Sequence, residues 1–288
     1  MNPEVSVVLV CYEMNREIPR TLRSLAPAYQ RDCPTGRIQV ILIDNGSAEP
    51  PRREEFEYLG LDLTVQSWPE PTRSPVAALN HGLSLAAAPL IGAWIDGARM
   101  ASPGLIDACI RAARLHPRPV VSTPNYHLGP ALQYFSPDSG YDQTEEDRLL
   151  ESIGWPEDGY RLFEISTSDM RGGDRGPLLE SNAFFMTREM WDEHGGFDPA
   201  FTGPGGGIAN PDAFIRACEL PGAQLIRVRG EATFHQYHGG VSTSPRYGAE
   251  TVLKRGGKEY FRLRRKPLGL VRTPGWLFDS VTGTVDKD

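Results

Sequence analysis

The chain has 288 residues, 40% of them hydrophobic, enough to bury one large core or two small ones. A net charge of −7 argues against a nucleic-acid binder of the usual basic kind, and no apolar run reaches the roughly 18 residues of a membrane span. The first apolar run, after Glu4, is short and reads as a strand rather than a signal peptide; Cys11, Cys33, Cys109 and Cys218 form no CxxC pair or zinc pattern, as expected of a reduced, cytoplasmic compartment.

Val5–Val10 is a buried-strand run leading to Cys11-Tyr12-Glu13. Over Ile18–Tyr29 the apolar residues Ile18, Leu22, Leu25 and Ala26 recur at helical spacing. Ile38–Ile43 is a second strand run, stopped by Asp44-Asn45-Gly46-Ser47, a carboxylate followed by turn residues. Leu61–Val65 is a weaker strand. Ser74–Ala87 is a helix with Pro75 in its first turn. Leu90–Ile95 is a short apolar run between Pro89 and Gly97, which suits a buried parallel strand and ends in Asp96. Pro103–Leu115 reads as a helix and Pro119–Thr123 as a strand. Strands alternating with helices predict a doubly wound parallel sheet, with Tyr12, Glu13, Asp44 and Asp96 at strand carboxyl ends, where such sheets bind ligands. Two readings of Asp96 stand side by side: a ligand for a divalent cation against a phosphorylated molecule, or a cap for the next turn.

After Asn125 the character changes. From Asp138 to Asp169 ten acidic residues face two arginines, which predicts an irregular surface insertion that could shape an acceptor pocket. Regular structure returns at Leu178–Thr187, followed by a short helix over Arg188–His194, a glycine-rich turn at Gly203–Gly207, a helix over Pro211–Glu219 and a strand over Gln224–Val228. Phe234-His235-Gln236-Tyr237-His238-Gly239-Gly240 closes the folded part. From Arg246 to the end the net charge is +5, leaving −12 on the rest. A solvated tail, a cover for a phosphate site and a contact with anionic lipid are all consistent with such a segment.

In order along residues 5 to 240, these segments resemble family 2 glycosyltransferases of the GT-A fold. Asp44-Asn45-Gly46-Ser47 is similar to the family's Asp-(Asp/Asn)-Gly-Ser, and Gly195-Gly196-Phe197-Asp198 to its Gly-Gly-Phe-(Asp/Asn). Ala78-Leu79-Asn80-His81-Gly82 resembles Ala-Arg-Asn-x-Gly with Leu79 in the arginine's place. Asp96-Gly97-Ala98 stands where the family has Asp-x-Asp, and its Glu-Asp pair falls on Ala209-Asn210, leaving Asp212 as the surviving acidic position before Arg216.

The resemblance implies an α/β fold of the GT-A kind: a Rossmann-like, mostly parallel sheet flanked by helices, with an irregular acidic insertion and a basic C-terminal tail. It divides the chain into a glycosyltransferase domain over 1–245 (nucleotide-sugar half 1–124, insertion 125–177, acceptor half 178–245) and a basic extension over 246–288. The implied reaction moves a sugar, with inversion, from a nucleoside diphosphate sugar, UDP being the expected nucleotide, to a hydroxyl of a glycan or small-molecule acceptor. Tyr12, Glu13, Asp44, Asn80, Asp96 and Arg99 are expected at the donor, with Asp44 against the base and Arg99 as a fixed cation near phosphate. With the second aspartate of Asp-x-Asp lost, a Mn²⁺ or Mg²⁺ ion needs another ligand beside Asp96, and His235 or His238 can supply it. Asp212 is the expected general base, its plainer role being to cap its helix. The competing reading is a catalytically degenerate member that binds a nucleotide or glycan, motivated by the losses at Leu79, Ala98, Ala209 and Asn210. The expected location is cytoplasmic, with peripheral contact to the inner membrane face through the basic segment.

Overall fold

The computed structural model describes residues 2–33, 35–135, 140–240 and 249–287. Its centre is a sheet built from the apolar runs. β1 (Val5–Cys11), β2 (Ile38–Asp44), β3 (Asp62–Ser67) and β4 (Leu90–Trp94) pair in parallel in the order β3-β2-β1-β4. Every residue of β1 and β4 is buried, as continuous apolar strands between two helical layers must be. α1 (Glu17–Leu25) and α3 (Leu105–Ala113) pack in one hydrophobic cluster, and α2 (Val76–Leu85) in the other, on the opposite sheet face. α2 packs closely because Gly82 lacks a side chain: a Cβ there would lie 2.5 Å from Val8 Cγ1.

The sheet continues through β6 (Pro119–Ser122), β9 (Ala183–Thr187) and β10 (Gln224–Arg229). β9 runs antiparallel between β4 and β6, so its amino end arrives where the parallel strands deliver their carboxyl ends. α5 (Arg188–His194) follows β9, and α6 (Ala209–Glu219) starts two residues earlier than its sequence pattern suggests. A second sheet of four strands, β5 (Arg99–Ala101), β11 (Thr233–His235), β7 (Asn125–Leu128) and β8 (Ser166–Ser168), lies at the crevice end.

Two expectations are corrected here. The acidic insertion is ordered: it contributes α4 (Gln143–Ser152), capped by Asp142 accepting from Glu145 N at 2.9 Å, and β8, around a small core with Leu150, Leu162 and Phe234; Asp138 lies outside the described residues. The basic extension is no solvated tail. It forms α7 (Ala249–Arg264), then β12 (Trp276–Asp279), parallel to β10, and β13 (Val285–Asp286). Charge explains the docking: Arg264 Nη2 meets Asp198 Oδ2 at 2.7 Å, and Lys266 Nζ meets Glu219 Oε1 at 3.2 Å. The boundary placed between residues 245 and 246 lies outside the described residues. Among the described residues no helix is long and apolar enough to cross a membrane.

Candidate active site

A cavity of about 1060 Å³ opens at the carboxyl ends of β1 and β4 and the amino end of β9. That volume is at the upper end for small-molecule sites. Tyr12 and Glu13 line it, Tyr12 with 57% of its surface exposed. Glu13 takes a left-handed backbone conformation (φ 52°), held because its N–H donates to Ser47 Oγ at 2.8 Å and its Oε1 accepts from Ala48 N at 2.8 Å. Asp44 stands one layer behind: it is 1% exposed, and Oδ2 accepts from Gly46 N at 3.0 Å and Ser47 N at 3.1 Å. It fixes the turn that presents Asn45 and Gly46 to the cavity, instead of lining the wall itself. Gly46 fits at φ 95°, where a Cβ would also strike Pro71. Nearby, Gly205, Gly206 and Gly207 all have positive φ, and Gly205 N donates to Arg73 O at 2.9 Å; Gly205 and Gly207 present bare backbone to the cavity.

Asp96, His235 and His238 meet on this wall, with one ligand atom from each lying within 4.8 Å of the others. A regular strand would turn His235 and His238 to different places, but β11 ends at His235 and the chain beyond it is irregular, so both reach Asp96. His235 Nδ1 contacts Gln133 Oε1 at 2.5 Å, an arrangement that makes Nδ1 the donor and leaves Nε2, 3.8 Å from Asp96 Oδ2, with its lone pair free. Burial, helped by Arg99 and the neighbouring histidines, drives the His235 pKa well below the usual imidazole range, and burial lowers His238 as well. Both shifts favour the neutral ring, the state in which imidazole binds a metal. A carboxylate oxygen and two imidazoles, one of them oriented by Gln133, fit a divalent cation. Arg99 also lines the cavity and is fixed in place: it is buried, with Nη2 on Asp96 Oδ2 at 3.0 Å and Nη1 on Asn125 Oδ1 at 2.7 Å.

Besides Asp44, two more expected site residues lie away from the wall. Asp212 is fully buried on the far side of α6, in a separate surface pocket beside Asp198, Tyr260 and Lys266. It receives Arg216 Nε at 2.8 Å, Arg264 Nε at 2.6 Å and Arg264 Nη2 at 2.7 Å. Two residues along a helix rotate the side chain by about 200°, so if Asn210 faces the cavity, Asp212 cannot. Asn210 does line it. Asn80 is also absent from the wall: its Nδ2 donates to Phe197 O at 2.8 Å and its Oδ1 accepts from Phe197 N at 2.9 Å, which clamps the Gly195–Asp198 turn.

The sequence pattern missed the remaining polar wall. Asn125, His127 and Tyr134 stand together with Asp169, whose Oδ2 takes the Tyr134 hydroxyl and lies 3.6 Å from His127 Nε2. Burial pushes the Asp169 carboxyl up, but the bonds from His127 and Tyr134 outweigh it and hold it below the ordinary range. Glu180, three residues before β9, lines the cavity too and accepts from Asn210 Nδ2 at 2.6 Å. Its signal in the sequence was a single carboxylate inside a segment read as regular structure; the strand direction that brings it to the crevice has no local signature.

The sequence model of glycosyl transferase family 2 matches residues 6–171, more than half of the chain. No curated protein sequence matches. Among solved structures the chain is similar to S. aureus TarS 1–349 in complex with UDP-GlcNAc (TM-score 0.56, 13% identity, 91% of this chain and 67% of that one). It is also similar to the mannosyltransferase PcManGT from Pyrobaculum calidifontis in complex with GDP-Man and Mn²⁺ (TM-score 0.54, 17% identity, 92% and 65%). Against the longer S. aureus TarS chain it covers only 40% of that chain, at a TM-score of 0.54 and 12% identity. At such identities the likeness is one of fold, and that fold, GT-A, agrees with the large, mostly parallel sheet described above. The motifs, the fold and the family match together establish that the chain belongs to glycosyl transferase family 2.

Proposed function

We propose that the chain transfers a sugar, with inversion, from a nucleoside diphosphate sugar, UDP-linked first of all, to an acceptor hydroxyl, assisted by a divalent cation. The observation that carries this reading is the grouping of Asp96, His235 and His238 on the wall of a cavity at the strand carboxyl ends. Fold relatives solved with UDP-GlcNAc and with GDP-Man and Mn²⁺ support it. Asp96, His235 and His238 would hold the cation, which when bound neutralises charge on the diphosphate leaving group. Two imidazoles in the set favour Mn²⁺ over Mg²⁺, which prefers an all-oxygen shell.

The chain's own residues prepare the rest. Asp44 and Glu13 fix the turn around Asn45 and Gly46, and Tyr12 stands exposed beside it, an aromatic face suited to a base. The Gly205–Gly207 backbone lets a ligand approach closely. Arg99 keeps the Asp96 carboxylate oriented and adds positive charge behind it. The test is isothermal calorimetry with UDP, with and without Mn²⁺, on wild type and on Asp96→Ala. UDP should bind wild type at least tenfold more tightly with Mn²⁺, and the variant should lose that difference. Equal UDP affinity in excess chelator would sink the metal-assisted reading.

A further inference from the structure

The expected base, Asp212, is out of reach of the cavity, and the position facing the cavity carries an amide, Asn210, which accepts no proton at neutral pH. Among the described residues five acidic side chains line the cavity: Glu13, Asp96, Asp169, Asp174 and Glu180. Four are already engaged. Glu13 holds Ala48 N; Asp96 belongs to the histidine cluster and Arg99; Asp169 takes Tyr134 and His127; Asp174 lies 3.6 Å from Arg229 Nε.

Glu180 differs. Trp94 lies opposite Ala183 in the β4–β9 register, and Ile95 N donates to Asn182 O at 3.1 Å, so the chain entering β9 runs alongside the segment carrying Asp96. This puts Glu180 next to the candidate cation site without contact to its ligands. Asn210 spends its amide group on Glu180 Oε2 at 2.6 Å and on Ser181 O at 3.2 Å, so the carboxylate is held by a neutral, fixed donor. The structure assigns Glu180 as the general base of this site, with Asn210 as the residue that positions it; this rests on the glycosyltransferase reading above.

The chemistry balances without another reactant. The acceptor hydroxyl gives its proton to a Glu180 oxygen while its oxygen forms the bond to the anomeric carbon. The bond from that carbon to the phosphate oxygen breaks, and its electron pair leaves with the nucleoside diphosphate. The proton then passes from Glu180 to solvent. Burial raises the Glu180 pKa, the Asp169 and Asp96 charges add to that, and the Asn210 bond and Arg99 oppose it. A raised carboxylate is the stronger base.

The test measures UDP release from a panel of UDP-sugars in Mn²⁺, with water as acceptor, beside UDP affinity by calorimetry. Glu180→Gln keeps the size and an acceptor for Asn210. It should lower turnover roughly 10²–10⁴-fold with UDP affinity within about twofold of wild type. The acidic limb of the wild-type kcat/KM profile should lie above the ordinary carboxylate range and vanish in the variant. Glu180→Gln combined with Asn210→Asp returns a carboxylate to the same wall and should recover at least about tenfold of the loss. Unchanged turnover in Glu180→Gln overturns the assignment alone. So does a loss of UDP affinity and melting temperature in step with turnover, which makes Glu180 structural. A wild type that binds UDP with Mn²⁺ yet releases none from any donor overturns the transferase reading, and this assignment with it.

Discussion

Replacing Asp212 by asparagine separates a structural ion hub from a catalytic group. The carboxylate accepts three hydrogen bonds, one from Arg216 and two from Arg264, and is itself fully buried. Asparagine keeps one acceptor oxygen and turns the other into an NH₂ facing guanidinium donors. At least one charge-assisted bond is lost and the negative charge between two cations disappears. Removing one partner of a fully buried pair costs about 3–5 kcal/mol. Here the Arg216 and Arg264 side chains keep 27% and 23% exposure, so water can solvate them in part. The expectation is therefore near the bottom of that range, about 3 kcal/mol. For a chain of this size that is a fall in melting temperature of roughly 6 °C. Arg264 belongs to α7, so the C-terminal segment should also become easier to cleave by limited proteolysis. UDP affinity in Mn²⁺, measured by calorimetry, should stay at the wild-type level because the cavity wall is untouched. A variant with wild-type melting temperature and lost turnover would refute this reasoning and return Asp212 to the catalytic site.

Two further substitutions test other parts of the structure. Asn80→Ala removes both bonds to the Phe197 backbone and should cost about 1–3 kcal/mol in urea unfolding while leaving UDP affinity unchanged; the reverse pattern would put Asn80 at the donor. His194 is buried, and that burial, with Arg216 adding to it, lowers its pKa to about 4 in the folded chain, against about 6.5 unfolded. The folded state thus binds fewer protons between those values, so the contribution to stability is intact above pH 6.5 and is lost as pH falls toward 4. His194→Gln should erase roughly 3 kcal/mol of that acid-side loss, read as the difference in urea midpoint between wild type and variant at pH 7 and pH 4.5. Parallel pH profiles for the two proteins would contradict it.

The sequence by itself determined what is local. The apolar runs Val5–Val10, Ile38–Ile43 and Leu90–Ile95 fit buried strands better than helices, and the residues after each marked their carboxyl ends, so the crevice and Asp96 were legible. The histidines stood out in the sequence as His-x-x-His ahead of Gly239-Gly240, with a ligand to replace for the lost second carboxylate; that they reach Asp96 was decided by the fold. Tertiary structure decided whatever depends on which distant segment a residue meets. The direction of β9 brought Glu180 to the crevice, since a strand's local pattern is the same whichever way its neighbours run. A start of α6 at Ala209 put Asn210 on the cavity and Asp212 against Arg264, because helical phase is fixed by packing, and each residue turns the face by about 100°. The charge surplus of the last segment was visible in composition, but only the fold showed that Asp198, Asp212 and Glu219 receive it; ion pairs between residues more than forty positions apart leave no periodic trace in the chain.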